Sequence, residues 1–360
     1  MADLTPYLEE LLTLRGSDLH LKVGASPHVR VNGRLVALDS PPLLASDLEA
    51  VTLAVVPPHR HRDLTDSGDI DFALGIAGLG RFRVHALRQR GSYGLVVRHV
   101  PPGIPPWDEL GLPDGVRRLA ESTSGLIVLA SPSGSGKTTT AASLLDYVNE
   151  TRTASIATIE QPIEFLHRDK HSIVSQREVG SDTPSFAAAM ASVGRLDADV
   201  IMLSDLPDVP TVEAALSAAA TGRLVLATMP TATVAATVAR LVEMFPLARR
   251  LVARQMLSLG LRGVVCQRLL ERADGMGRTP AVEVLVSTPR SAELLASPDS
   301  GSADLERVMS EGHYYGMQTL DQSLIELCRE GRVDVQEVLA AASSPEEMRT
   351  SLFASGVRLA

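Results

Sequence analysis

Apolar positions along this 360-residue chain fall into two regimes. In the first hundred residues short, alternating stretches dominate. Residues 17–23 alternate, Val29-Arg30-Val31 follows, and Asn32-Gly33 predicts a two-residue hairpin turn into Arg34-Leu35-Val36. A helical pattern covers 45–56, and longer strands are expected near 69–74, 81–89 and 93–99. This reads as a small α+β domain over residues 1–100. Farther on, apolar runs at 126–130, 155–159, 200–203 and 224–228 are continuous, as in strands buried on both faces. Helical patterns near 139–149, 185–194 and 212–220 separate them, which predicts a mostly parallel sheet with helices packed on it. Beyond Val234 the pattern is mainly helical, with a late strand near 281–286, a flexible turn at 297–302 and a closing helix with a loose tail. Residues 101–106 hold four prolines and read as a semi-rigid linker between residues 1–100 and a second domain over 107–360.

Composition narrows the class. Lys plus Arg number 34 and Asp plus Glu 43, a formal charge of −9 without a basic block, which argues against a nucleic-acid motor. No apolar run reaches the roughly 18 residues of a membrane-spanning helix. The first residues lack a basic and then apolar leader, so secretion is not expected. Cys266 and Cys328 stand far apart and form no CxxC pair, so two free buried thiols in a reducing compartment are expected. The histidines show no metal-ligand spacing.

Ser131-Pro132-Ser133-Gly134-Ser135-Gly136-Lys137-Thr138 lies between an expected strand and an expected helix that opens at Thr139. Strand, glycine-containing loop, Lys-Thr and helix together form the setting of a P-loop. Backbone N–H groups in such a loop, with the positive helix N-terminus, hold phosphates. Lys137 would reach the β- and γ-phosphates, and the Thr138 hydroxyl would ligate Mg²⁺. Ser131 replaces the usual first glycine, which requires a backbone angle there that suits a residue with Cβ.

With these stretches in view, the chain resembles the type IV pilus retraction ATPases (the PilT family) within the secretion-ATPase superfamily. The likeness runs through Ser17-Asp18-Leu19-His20-Leu21, Val31-Asn32-Gly33, Gly80-Arg81-Phe82-Arg83-Val84 and the P-loop. It continues through Thr158-Ile159-Glu160-Gln161-Pro162-Ile163-Glu164-Phe165, Gln176-Arg177-Glu178-Val179 and Gly316-Met317-Gln318-Thr319-Leu320-Asp321. The resemblance implies an α/β fold, with a RecA-like P-loop NTPase core domain and a smaller α+β, PAS-like N-terminal domain. It also implies hexamers that bind ATP with Mg²⁺, at the cytoplasmic side of an inner-membrane pilus platform protein, and drive pilus disassembly. Two cysteines, rather than a four-cysteine zinc module, favour the retraction branch over the type II secretion relatives.

The same resemblance gives roles to particular residues. Residues 131–139 would form the nucleotide cradle. Arg81 and Arg83, two apart and so on one face of a strand, would serve the γ-phosphate or an inter-subunit interface, with Arg98 a third candidate; solvated strand arginines are the alternative. Glu160 and Glu164 keep the acidic box, whereas Gln161 stands where an aspartate is usual. Asp205 replaces a glutamate and is one methylene shorter: a weak base, a Mg²⁺ ligand directly or through water, or a turn acid. Pro207 replaces an arginine, and Pro230 replaces a histidine in Thr228-Met229-Pro230-Thr231. The C-terminal helix element around 291–298 lacks both of the family's arginines. Two readings stay open, an ATPase motor with weakened hydrolysis and a non-hydrolysing subunit that regulates or co-assembles with an active paralogue.

Overall fold

The computed structural model describes residues 4–31, 33–100, 103–132 and 134–357. Asn32 of the expected hairpin turn, Pro101 and Pro102 of the linker, Ser133 of the loop and the last three residues of the tail therefore lie outside the described residues. The described chain divides into two compact units. One takes in the residues up to Gly103 together with Gln161–Leu166, and the other takes in Ile104–Glu160 and the chain from His167 onward.

The first unit is built on an antiparallel sheet. Its strands are β1 (Asp18–Lys22), β2 (His28–Val31), β3 (Arg34–Ala37), β4 (Asp69–Ile76), β5 (Gly80–Gln89) and β6 (Ser92–Val100), in the order β3-β2-β1-β6-β5-β4. Along β5 the buried residues Phe82, Val84 and Ala86 alternate with Arg81, Arg83 and His85, so the pleat sends one set to the core and the other to the opposite face. Helices Thr5–Thr13, Ala45–Val55 and His61–Ser67 complete the unit.

The second unit holds a seven-stranded sheet of β7 (Gly125–Ala130), β8 (Ser155–Glu160), β9 (Ile173–Glu178), β10 (Val200–Leu203), β11 (Leu224–Met229), β12 (Leu261–Glu271) and β13 (Arg278–Val286). The order is β13-β12-β7-β11-β10-β8-β9, and every pairing is parallel except β12 with β13. Every residue of β7, β10 and β11 is buried. Alternate residues feed separate cores on the two faces: Leu126, Val128 and Ala130 on one, Ile127 and Leu129 on the other. That double burial explains the continuous apolar runs in the sequence.

Local chemistry sets the helix starts. The Asp208 carboxylate accepts the Thr211 N–H at 2.8 Å and Pro210 sits in the first turn, so the helix Val209–Ala220 begins three residues before its apolar pattern. Ser185 caps Phe186–Val193 in the same way, through the Ala188 N–H at 3.1 Å.

Two expectations change. The region beyond Val234 is mainly helical as expected, but it also holds an unexpected strand, β12, which spans eleven residues between β13 and β7. At the end of the Pro-rich segment, the Ser143 hydroxyl donates to the Pro105 carbonyl at 2.6 Å, and Trp107 is buried. The turn at 297–302 is tied down, with the Arg254 guanidinium donating to the Leu295 and Ser297 carbonyls. No helix among the described residues is long and apolar enough to cross a membrane.

Candidate functional site

Strand β7 runs into the loop at Ser131, and the helix Lys137–Thr151 opens directly after Gly136. Ser131 is fully buried. Its N–H donates to the Met229 carbonyl at 3.1 Å and its hydroxyl to the Pro132 carbonyl at 3.3 Å. The described non-glycine residues with positive φ are Arg15, Arg90 and Asp197, so Ser131 has a backbone angle open to any L-residue. Replacement of the first glycine therefore costs the loop nothing in backbone strain. The two glycines that remain are needed: Gly134 has φ 81° and Gly136 φ 83°. Lys137, Thr138 and Thr139 form the helix's first turn, half-buried at the loop's end. Among the described residues the N–H groups of Gly136, Lys137 and Thr138 have no backbone acceptor, as expected for a helix N-terminus that can receive an anion.

Two acidic side chains lie at the same edge of the sheet, beyond the carboxyl ends of neighbouring parallel strands. Glu160 ends β8 and is buried; it accepts the Thr158 hydroxyl at 2.6 Å and the Gln176 side-chain amide at 3.0 Å. Gln176 is itself held, its Oε1 accepting the His167 N–H at 2.8 Å. Asp205 follows β10 and accepts the N–H of the next residue, Leu206, at 2.8 Å. Burial lifts the Asp205 carboxyl above the usual carboxylate value, while the Leu206 N–H and the Lys137 ammonium pull in the other direction. The Thr228 hydroxyl ties β11 to β10 through the Ser204 carbonyl at 2.7 Å. Pro230 is exposed. The next segment is fixed by a Thr231–Thr237 hydroxyl contact of 2.7 Å and by Glu283, which accepts the Val234 N–H at 2.8 Å.

The arginines and Glu164 belong to the first unit. Arg81 Nε donates to the Ile163 carbonyl at 2.8 Å, and Arg83 pairs with Glu164 at 3.3 Å and approaches Asp71 at 3.7 Å. Arg98 is matched to Asp18 at 2.8 Å. The acidic box thus divides: Glu160 ends a strand of one unit, and Gln161–Leu166 pack with the other, held there by Arg81 and Arg83. Cys266 and Cys328 are free and buried, and no metal-ligating cluster occurs among the described residues.

Sequence reasoning gave no role to Gln176, Thr158, Thr140 or Gln267. Thr158 carried a signal, since it stands two residues before Glu160 on one strand face. Gln267 lies on the unread strand β12. Its Nε2 donates to the Ser135 carbonyl and its Oε1 accepts the Thr140 hydroxyl, each at 2.8 Å.

A parallel sheet, a glycine-bearing loop with Lys-Thr at a helix start, and acidic groups at neighbouring strand ends define a P-loop α/β protein. The chain belongs to the family described as type II/IV secretion system protein, which matches residues 3–351. It is 36% identical over 345 residues to the type IV pilus ATPase PilU of Pseudomonas aeruginosa, covering 95% of this chain and 90% of that one. The type IV pilus retraction ATPase PilT of the same organism is also 36% identical, over 344 residues and 96% and 99% of the two chains. A crystal structure of the pilus retraction motor PilT with bound ADP superposes with a TM-score of 0.85 at 39% identity, covering 96% of this chain and 98% of that one. The second unit is accordingly a RecA-like core and the first the N-terminal domain that accompanies it.

Proposed function

We propose that this protein is an ATP-binding motor subunit of a type IV pilus system, active in twitching motility, whose hydrolytic step is weakened. The loop carries this reading: Gly134 and Gly136 keep the left-handed angles of a phosphate cradle, Ser131 fits without strain, and Lys137 and Thr138 stand at the helix start. Its relatives PilT and PilU are pilus ATPases, and a PilT crystal structure holds ADP. The residues on hand suit Mg²⁺, since the Thr138 hydroxyl and the Asp205 carboxylate are hard oxygen donors. Bound there, the cation would neutralise charge on the β- and γ-phosphates. Lys137 would hold the phosphates, and Glu160, fixed by Thr158 and Gln176, would orient water.

The weakening is inferred from three positions. Gln161 lacks the charge of the usual aspartate, Asp205 is a methylene short, and Pro230 cannot donate or accept through a side chain. A positioning group misplaced by about 1 Å can cost about a hundredfold in rate. Assembly is proposed as a hexamer, alone or mixed with a paralogue, at the cytoplasmic face of an inner-membrane platform protein. Arg81, Arg83 and Arg98 would then serve the γ-phosphate or a subunit interface. A second reading, a non-hydrolysing subunit working beside an active paralogue, draws on the equal identity to PilT and PilU of one organism.

Steady-state ATPase assays of the purified protein beside Lys137→Ala test the proposal. Slow turnover that disappears with Lys137→Ala supports the weakened motor. Nucleotide binding with no turnover favours the second reading, and turnover indifferent to Lys137→Ala refutes hydrolysis at this site.

A further inference from the structure

We infer that Gln267 is a positioning residue for the phosphate-binding loop, acting by holding the Ser135 carbonyl so that the Gly136 N–H is presented on the opposite side. This rests on the nucleotide-binding reading above and adds to it a residue outside the loop.

β12 lies beside β7 in parallel register, and Cys266 opposite Ala130 is the last rung before the loop. Gln267 is the next residue along, so its side chain arises where the loop leaves the strand. It is 5% exposed, and a carboxamide so buried needs partners on both ends. The Ser135 carbonyl can only accept, which fixes Nε2 as the end that faces it. Oε1 is then free to accept the Thr140 hydroxyl from the helix Lys137–Thr151, where Thr140 is also buried. One side chain thus ties the loop, the helix that follows it and the neighbouring strand.

A trans peptide places its C=O and the following N–H on opposite sides of one plane. With the Ser135 carbonyl turned to Gln267, the Gly136 N–H faces away from β12 and joins the N–H groups of Lys137 and Thr138, which have no backbone acceptor among the described residues. The φ of 83° at Gly136 makes that turn available. A Cβ at Gly136 would also come within 2.9 Å of Gln267 Nε2, so the glycine and the glutamine are fitted to each other. A purely apolar side chain would fill the same space without constraining the peptide plane.

The test is calorimetric affinity for ADP and, by competition, for AMP, with Mg²⁺. The proteins are wild type, Gln267→Leu, Gln267→Glu, Thr140→Val and Thr140→Ser, with urea midpoints measured alongside. Gln267→Leu is expected to weaken ADP about tenfold or more, the order of a buried carbonyl left unpaired, and AMP by less, so that the ADP-to-AMP preference falls. Gln267→Glu, which keeps an acceptor for Thr140 but loses the donor to Ser135, moves the same way, and Thr140→Ser keeps wild-type affinity. An ADP affinity within twofold of wild type in Gln267→Leu, or an equal loss for ADP and AMP, overturns the inference. Should Gln267→Leu fail to fold, Thr140→Val is expected to lose ADP affinity severalfold relative to Thr140→Ser, and equality of the two overturns it. Absence of ADP binding by wild type refutes the nucleotide reading and the inference with it, whereas wild-type binding with an unaltered Gln267→Leu refutes the inference alone.

Discussion

The Gln176 side chain holds the Glu160 carboxylate, Nε2 to Oε1 at 3.0 Å, from the neighbouring parallel strand β9. In the proposed function Glu160 orients water, and an acid in that role is only as well placed as the groups that hold it. Gln176→Leu is therefore expected to lower kcat by about tenfold to a hundredfold, with KM for ATP little changed, in steady-state assays. A raised KM with unchanged kcat would assign Gln176 to ground-state binding instead.

Ser131 makes a second prediction. Its backbone angle already suits a side chain, so Ser131→Gly is expected to leave nucleotide affinity within about twofold and to destabilise by roughly 0.5–1 kcal/mol through unfolded-chain entropy. Restoring the family residues at Gln161→Asp, Asp205→Glu and Pro230→His together should raise turnover without any change at Ser131. No increase would place the defect outside these three positions.

Asp205 predicts a pH dependence. Burial raises its carboxyl above the unfolded value of about 3.9. The folded protein then binds that proton more tightly than the unfolded chain, so this group's contribution to stability falls as pH rises from the unfolded value through the raised folded one, and the cost persists above it. Asp205→Asn is expected to be more stable than wild type at neutral pH, with the difference vanishing near pH 3 in urea titrations. A constant difference across that range would contradict the assignment.

Arg83 and Glu164 form an ion pair in which both side chains are about a third exposed. A double-mutant cycle with alanine is expected to give a coupling of about 0.2–1 kcal/mol, falling in high salt. A coupling that salt leaves unchanged would point to packing rather than charge.

Much of this architecture is written in the chain. The runs from Leu126 and Val200 are apolar throughout because both faces of β7 and β10 are covered, and alternation around Phe82 marks a sheet with one packed face. β12 escaped because it follows the helix Arg250–Gly260 without a turn and shares its Leu and Arg content. Its apolar stretches are short, Val264-Val265-Cys266 and Leu269-Leu270, and short apolar stretches cannot be told from part of a buried helix by period alone. The loop's place between a strand and a helix, and Glu160's place at a strand end, were legible locally. Gln267 was not, since its partners Ser135 and Thr140 lie more than 120 residues away and only the sheet brings them together.

In the proposed function the loop around Lys137 retains its grip on nucleotide, whatever has become of hydrolysis. Calorimetric titration with a non-hydrolysable ATP analogue and Mg²⁺ is the decisive experiment. Saturable binding that Lys137→Ala removes is the predicted result; no heat of binding up to millimolar analogue would contradict it.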